Sequence, residues 1–174
     1  MAEPLIRPVL VFLALVIGCG VLIAATAALT RERIEENRAQ RFLATLTELT
    51  GSAAAAADVH WNGDTALICP DRAVLRGRVR GYGGDIHWLA AADLDPDAPV
   101  LTRLRITEHQ ETPGIADFLD RPDRGWLASL RQRDAAAIAQ VDAVSGATIT
   151  SRALTRSLSA AFARPALTKP ACPP

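Results

Sequence analysis

Val100-Leu101-Thr102-Arg103-Leu104-Arg105-Ile106 alternates in chemical character along its length. As a strand it sends Leu101, Arg103 and Arg105 to one side and Val100, Thr102, Leu104 and Ile106 to the other, because successive side chains leave opposite faces of a pleated chain. Upstream, residues 86–91, 73–79 and 65–68 are short and partly alternating. They are punctuated by Gly63, Pro70, the glycines of residues 81–84 and the turn residues 95–99, which predicts three more strands. Downstream, Pro113-Gly114 closes the strand region and the period turns helical. Residues 122–133 carry Trp126, Leu127 and Leu130, and residues 148–162 carry Leu154, Leu158, Ala161 and Phe162 at helix spacing. Strands followed by helices predict an α+β domain with an antiparallel or mixed sheet, not a parallel doubly wound one.

Ahead of this domain the apolar residues pile up. No charged residue lies between Val9 and Leu29, with Arg7 before the run and Arg31, Glu32 and Arg33 after it. At 1.5 Å per residue the run matches a hydrocarbon core of roughly 30 Å. A cleaved signal peptide is the competing reading, with Arg7 as its basic start and Ala25-Thr26-Ala27 as a cleavage site, but the run exceeds the ~7–15 residues of such a segment. The expectation is one N-terminal transmembrane helix over residues 1–30 and a helical stalk over 31–58. A single small domain over 59–164 and a proline-rich tail over 165–174 complete the chain. Lys/Arg counting alone would leave the domain cytoplasmic, yet the arginines after the run are interleaved with Glu32, Glu35 and Glu36, so charge decides little.

Nineteen Lys and Arg balance nineteen Asp and Glu. With no basic cluster there is no reason to invoke nucleic acid, since neutralising phosphates needs cations in excess on one face. Of the three cysteines, Cys19 sits inside the apolar run. Cys69 and Cys172 are far apart in sequence and fit no zinc or iron–sulfur spacing, but would suit a disulfide outside the cytoplasm. No Gly-x-Gly-x-x-Gly follows a strand, so NADH has no evident site.

Asp142-Ala143-Val144-Ser145-Gly146-Ala147-Thr148 continues as Ile149-Thr150-Ser151. It reads as a tight turn feeding a helix, where free N–H groups and the positive end of the helix dipole suit a phosphate. A hydroxyl there is placed to become a phosphoester; the plainer reading is an N-capping turn with Ser or Thr as the cap.

The heptad resembles the flavinylation signature of the FMN-binding domain family: Asp, two variable residues, Ser or Thr, Gly, Ala, and a final Ser or Thr. Glu108-His109-Gln110-Glu111-Thr112-Pro113-Gly114 is similar to the family's His-x-Glu-Thr-Pro-Gly element, and Gly81-Tyr82-Gly83-Gly84 to its Gly-Tyr-x-Gly turn. Trp126 falls where these domains commonly keep a Trp. Ala116 stands where the family often has Gly. Within the family the resemblance is nearest to the members that serve Rnf ion-translocating electron transport complexes. Members from the sodium-pumping NADH:quinone reductase share the domain on longer chains.

The resemblance implies covalent FMN on Thr148, attached by a flavin transferase from FAD. Asp142, Ser145, Gly146 and Ala147 would form the recognition element, and Thr150, His109, Glu111, Thr112, Pro113, Gly114 and Tyr82 would lie in the flavin environment. It implies an electron-carrying subunit without catalytic residues of its own, held in the inner membrane with its domain in the periplasm. Its partners would be the other members of a complex that couples NADH and ferredoxin electron flow to ion movement. The rivals are a membrane-anchored scaffold or binding module with no redox role, and a flavinylated domain of another respiratory or sensory system.

Overall fold

The computed structural model describes residues 3–53, 59–68, 71–94, 98–164 and 167. The expected Cys69–Cys172 pair, the alanine stretch 53–57 after its first residue, and all of the proline-rich tail but Leu167 lie outside the described residues. The chain divides into two compact units, residues 1–42 and 43–174.

Helix α1 runs from Glu3 to Thr50 and supplies all the described residues of the first unit. From Ile6 it is long and apolar enough to cross a membrane, with a mean hydropathy of 2.8 in its most apolar window and no residue of that window buried. By length and composition this helix could span a membrane. Its hydroxyls are satisfied internally: Thr26 Oγ1 donates to the Leu22 carbonyl at 2.8 Å and Thr30 Oγ1 to that of Thr26 at 2.9 Å. Cys19 is a free, exposed thiol.

The second unit is built on a four-stranded antiparallel meander: β1 (Thr65–Ile68), β2 (Arg72–Arg80), β3 (Asp85–Leu94) and β4 (Pro99–His109), in spatial order β1-β2-β3-β4. A 3₁₀ turn at Asp117–Asp120, two short helices, α2 (Gly125–Ala128) and α3 (Ala135–Ala139), and the long α4 (Thr148–Phe162) follow. The main core lies on one face of the sheet, where Leu75, Ile86, Trp88, Leu101 and Leu104 meet Leu154, Leu158 and Phe162 of α4. On the other face Leu46 and Leu49, from the end of α1, cover Val74, Leu89 and Ala91. Strand β3 is therefore buried from both sides, which explains its Ala90-Ala91-Ala92 run: small residues let both layers approach.

Two expectations need correction. Strict alternation in β4 would put Leu101 and Leu104 on opposite faces, but both enter the main core. Register shifts against β3 leave Thr102 and Thr107 as extra residues between paired neighbours, and each such bulge resets the facing. Their hydroxyls donate to β3 carbonyls, Thr102 to Ala91 at 3.1 Å and Thr107 to His87 at 3.3 Å, tying each irregularity to the sheet. Of residues 122–133 only the four of α2 are helical, a single turn and not a helix along the whole stretch. Gly125 at φ +67° starts that turn and Gln132 at φ +56° leaves the α region, so the apolar Leu127 and Leu130 reach the core from a compact loop.

Gly77 on β2 faces Trp88, whose indole lies across it and donates from Nε1 to Ser157 Oγ at 3.1 Å. A Cβ at position 77 would stand 2.2 Å from the ring. The ring is boxed in by the core, so Gly77→Ala should cost about 2 kcal/mol. Thermal unfolding of the detergent-solubilised chain checks this, and an unchanged midpoint would contradict the packing.

On the second face, Arg105 pairs with Glu48 of α1 and, at 3.2 Å, with Asp123. Hydrogen bonds from Arg131 first, and from Arg105 second, hold the Asp123 carboxyl below its ordinary value of 3.8. A depressed carboxyl stabilises the fold above its unfolded value and loses that contribution as pH falls through the folded one. The difference in midpoint between wild type and Asp123→Asn should thus be small, present at neutral pH, and gone once pH drops well under 3.8.

Candidate functional site

Glu111 follows the last residues of β4 and is 7% exposed. Burying a carboxylate is costly unless donors surround it. Here Oε1 accepts from the Gly83 N–H at 3.0 Å and the Gly84 N–H at 3.4 Å, while Oε2 accepts from Thr150 Oγ1 at 2.6 Å. Thr150 is itself buried at the start of α4, and its oxygen accepts from the Tyr82 N–H at 3.4 Å. One carboxylate thus fastens together the 81–84 turn, the end of β4 and the first turn of α4. The positive end of the α4 dipole adds to its compensation.

The glycines of the turn are there for close approach. A Cβ on Gly81 would lie 2.2 Å from Glu111 Oε1, one on Gly83 2.5 Å from the Gln110 carbonyl oxygen, and one on Gly84 2.6 Å from Gln110 Cβ. Residues 110–111 lie directly against the turn, and only hydrogen atoms fit between them.

The start of α4 is open. Its N-cap position is Ala147, which has no side-chain capping bond. Among the described residues no acceptor meets the N–H groups of Thr148, Ile149 or Thr150; the first helical bond is Ser151 N–H to the Ala147 carbonyl at 3.0 Å. The Ser151 hydroxyl donates to that carbonyl at 2.9 Å and accepts from Val144 N–H at 3.1 Å, folding the 144–147 turn back on the helix. Gly146, at φ +81°, makes the turn possible. The Thr148 side chain is exposed, with no partner for its hydroxyl among the described residues. Thr150 and Ser151 are buried and spent on internal bonds. The alternative reading of this segment as a turn capped by Ser or Thr is not what the helix shows, since Ala147 is the N-cap.

These are a short glycine turn, a buried carboxylate and an uncapped helix start carrying a free hydroxyl, assembled on one end of an antiparallel sheet. Residues 81–163 match the FMN-binding domain family. The match covers just under half of the chain and takes in all three segments. Among curated proteins, the G subunit of the ion-translocating oxidoreductase complex of Haemophilus influenzae (strain PittEE) is 38% identical over 85 residues, which is 42% of this chain and 40% of that protein. The protein of the same name from Aliivibrio fischeri (strain MJ11) is 30% identical over 95 residues, 45% of this chain and 41% of that protein. The chain aligns with about two fifths of the length of these relatives.

Within the matched stretch, the residues singled out from sequence fall into two groups. Tyr82, Glu111 and Thr150 are joined by hydrogen bonds. His109 flanks them: its Nδ1 accepts from Glu111 N–H at 3.3 Å and its Nε2 faces Asp120 Oδ1 at 3.2 Å. Asp142 is tied at its carbonyl to Trp126 Nε1 at 2.7 Å, while Ser145, Gly146 and Thr148 stand exposed and Ala147 is buried beneath them. Thr112, Pro113 and Gly114 form an exposed turn closed by Thr112 O, and no hydrogen bond among the described residues joins them to 145–148. The Tyr82 ring is 73% exposed and outside the core, and Ile149 is 57% exposed beside Thr148. Ser151 and the N–H groups of Gly83 and Gly84 were not singled out as site groups. Their signal was the spacing of glycines in 81–84 and the second hydroxyl after Thr148.

Proposed function

We propose that this chain is an electron-transfer subunit of a membrane-bound, multi-subunit ion-translocating oxidoreductase complex, with FMN joined through its phosphate to Thr148 Oγ1. The observation that carries the reading is the exposed Thr148 hydroxyl, without a partner among the described residues, at a helix start with no side-chain cap, inside a stretch matching the FMN-binding domain. Three N–H groups without an acceptor among the described residues, together with the helix dipole, make this a favourable place for a phosphate. Asp142 and Ser145–Ala147 present the acceptor to a flavin transferase. In that step the Thr148 O–P bond forms, the pyrophosphate link of FAD breaks, AMP leaves and the hydroxyl proton is released.

Bound flavin supplies the electron chemistry. The chain's own residues hold and orient it: Glu111 and Thr150 fix the first turn of α4, His109 buttresses Glu111, and Tyr82 and Ile149 offer apolar surface beside the acceptor. The relatives' shared name supports partner subunits of an oxidoreductase complex. On this reading residues 1–30 are a single-pass anchor in the inner membrane, 31–58 a stalk, and 59–164 a periplasmic domain with 165–174 as its tail. Covalent attachment suits that side of the membrane, where a lost cofactor is not readily replaced. Denaturing electrophoresis tests the reading. Coexpressed with a flavin transferase, the chain should give a flavin-fluorescent band near 18.5 kDa; a dark band, with Thr148 unmodified by mass spectrometry, overturns it.

A further inference from the structure

Helix α4 carries no acidic residue, and its exposed cations are Arg152 and Arg156. Arg152 lies four residues after Thr148, and on a helix such residues share a face with Cβ atoms about 6 Å apart. Helical side chains lean toward the N-terminus, so a residue covers the turn preceding its own Cα. For Arg152 that turn is the one bearing Thr148. Both residues are exposed. The Arg152 guanidinium has no partner among the described residues; only its carbonyl is used, by Thr155 Oγ1 at 3.2 Å and Arg156 Nε at 3.1 Å. Arg156 is thereby occupied one turn further on, while Arg152 is left free.

Electrostatics gives this placement a use. The positive end of α4 is already shared with the Glu111 carboxylate through Thr150, and Asp142 is exposed in the loop leading to Thr148. A phosphodiester on Thr148 brings one more negative charge into that setting, and a guanidinium matches phosphate oxygens with two parallel N–H donors. We infer that Arg152 is a positioning residue for the flavin phosphate, clasping the phosphodiester on Thr148 from one helical turn below and restricting swing of the flavin about its tether. The inference rests on the reading of Thr148 as the acceptor.

The test uses the full chain in detergent, loaded by a flavin transferase, as wild type, Arg152→Gln, Arg152→Lys and Arg156→Gln. The ³¹P resonance of the phosphodiester and the fluorescence anisotropy of the flavin are the readouts. Arg152→Gln should shift the resonance, lower the anisotropy and slow loading about two- to fivefold, the range open to an exposed ion pair. Arg152→Lys should restore the charge-dependent part of these effects, and Arg156→Gln should leave both spectra near wild type. A wild-type chain without flavin on Thr148 overturns this inference together with the acceptor assignment. Flavin on Thr148 with a resonance and anisotropy indifferent to Arg152→Gln overturns the clasp alone.

Discussion

Thr148→Val is expected to abolish in-gel flavin fluorescence of the 18.5 kDa band while leaving the fold in place. Valine keeps the branched shape at an exposed position, and the replaced hydroxyl makes no internal bond among the described residues, so the stability change should stay within about 0.5 kcal/mol. Loss of the band should be complete because the neighbouring hydroxyls are not substitutes. Thr150 Oγ1 is buried and donates to Glu111; Ser151 Oγ is buried and bonded on both sides. Ser145 is the one other exposed hydroxyl in the segment, on the far side of Gly146 and outside the helix. Thr148→Ser retains a hydroxyl at the helix start and should load. Peptide mass spectrometry decides the matter: flavin on Ser145 in wild type, or a band that survives Thr148→Val, would move the attachment point and remove the physical basis for the acceptor.

The sequence pattern carried most of the architecture. Residues 148–162 were legible as a helix because apolar residues recur at helical spacing behind a Ser-Gly turn, and that is the range observed. The four strands were legible from β-branched and apolar runs between glycines and prolines, with ends that extend up to three residues further than the pattern suggested. What escaped depends on contacts between distant segments. The bulges at Thr102 and Thr107 reset the facing of β4, and a threonine in an alternating strand looks the same whether or not it is a bulge residue. The helix expected over 122–133 failed because Gly125 adopts a positive φ and Trp126 is drawn outward to the Asp142 carbonyl, neither of which a count of apolar residues registers. In the site, each of the three motifs was visible by itself. The hydrogen bonds that join them connect residues 27 to 68 positions apart, a distance at which only the fold decides who meets whom.

Glu111→Ala should be the most destabilising single change in this site. It strips the acceptor from two glycine N–H groups and one threonine hydroxyl at a position 7% exposed. Each buried donor left unpaired costs about 1–3 kcal/mol, and water entering the vacated space recovers part of it, so a net loss of about 3 kcal/mol is expected. Glu111→Gln separates shape from chemistry. Its amide oxygen can still accept from Gly83 and Gly84, but its NH₂ then faces Thr150, whose hydroxyl must turn from donor to acceptor while it still takes the Tyr82 N–H. Two lone pairs permit this, at the loss of one charge-assisted bond, so the glutamine variant should fall about 1–2 kcal/mol short of wild type. Flavin loading should follow the same order. The carboxylate is what holds the first turn of α4 against the 81–84 turn, and displacing an acceptor by about 1 Å can slow a transfer by two orders of magnitude. Denaturant titration of the three forms, paired with band fluorescence, provides the check. An alanine variant as stable as wild type would mean that the carboxylate does not join these segments, and a stable variant that loads normally would mean that the joint has no bearing on where Thr148 is presented.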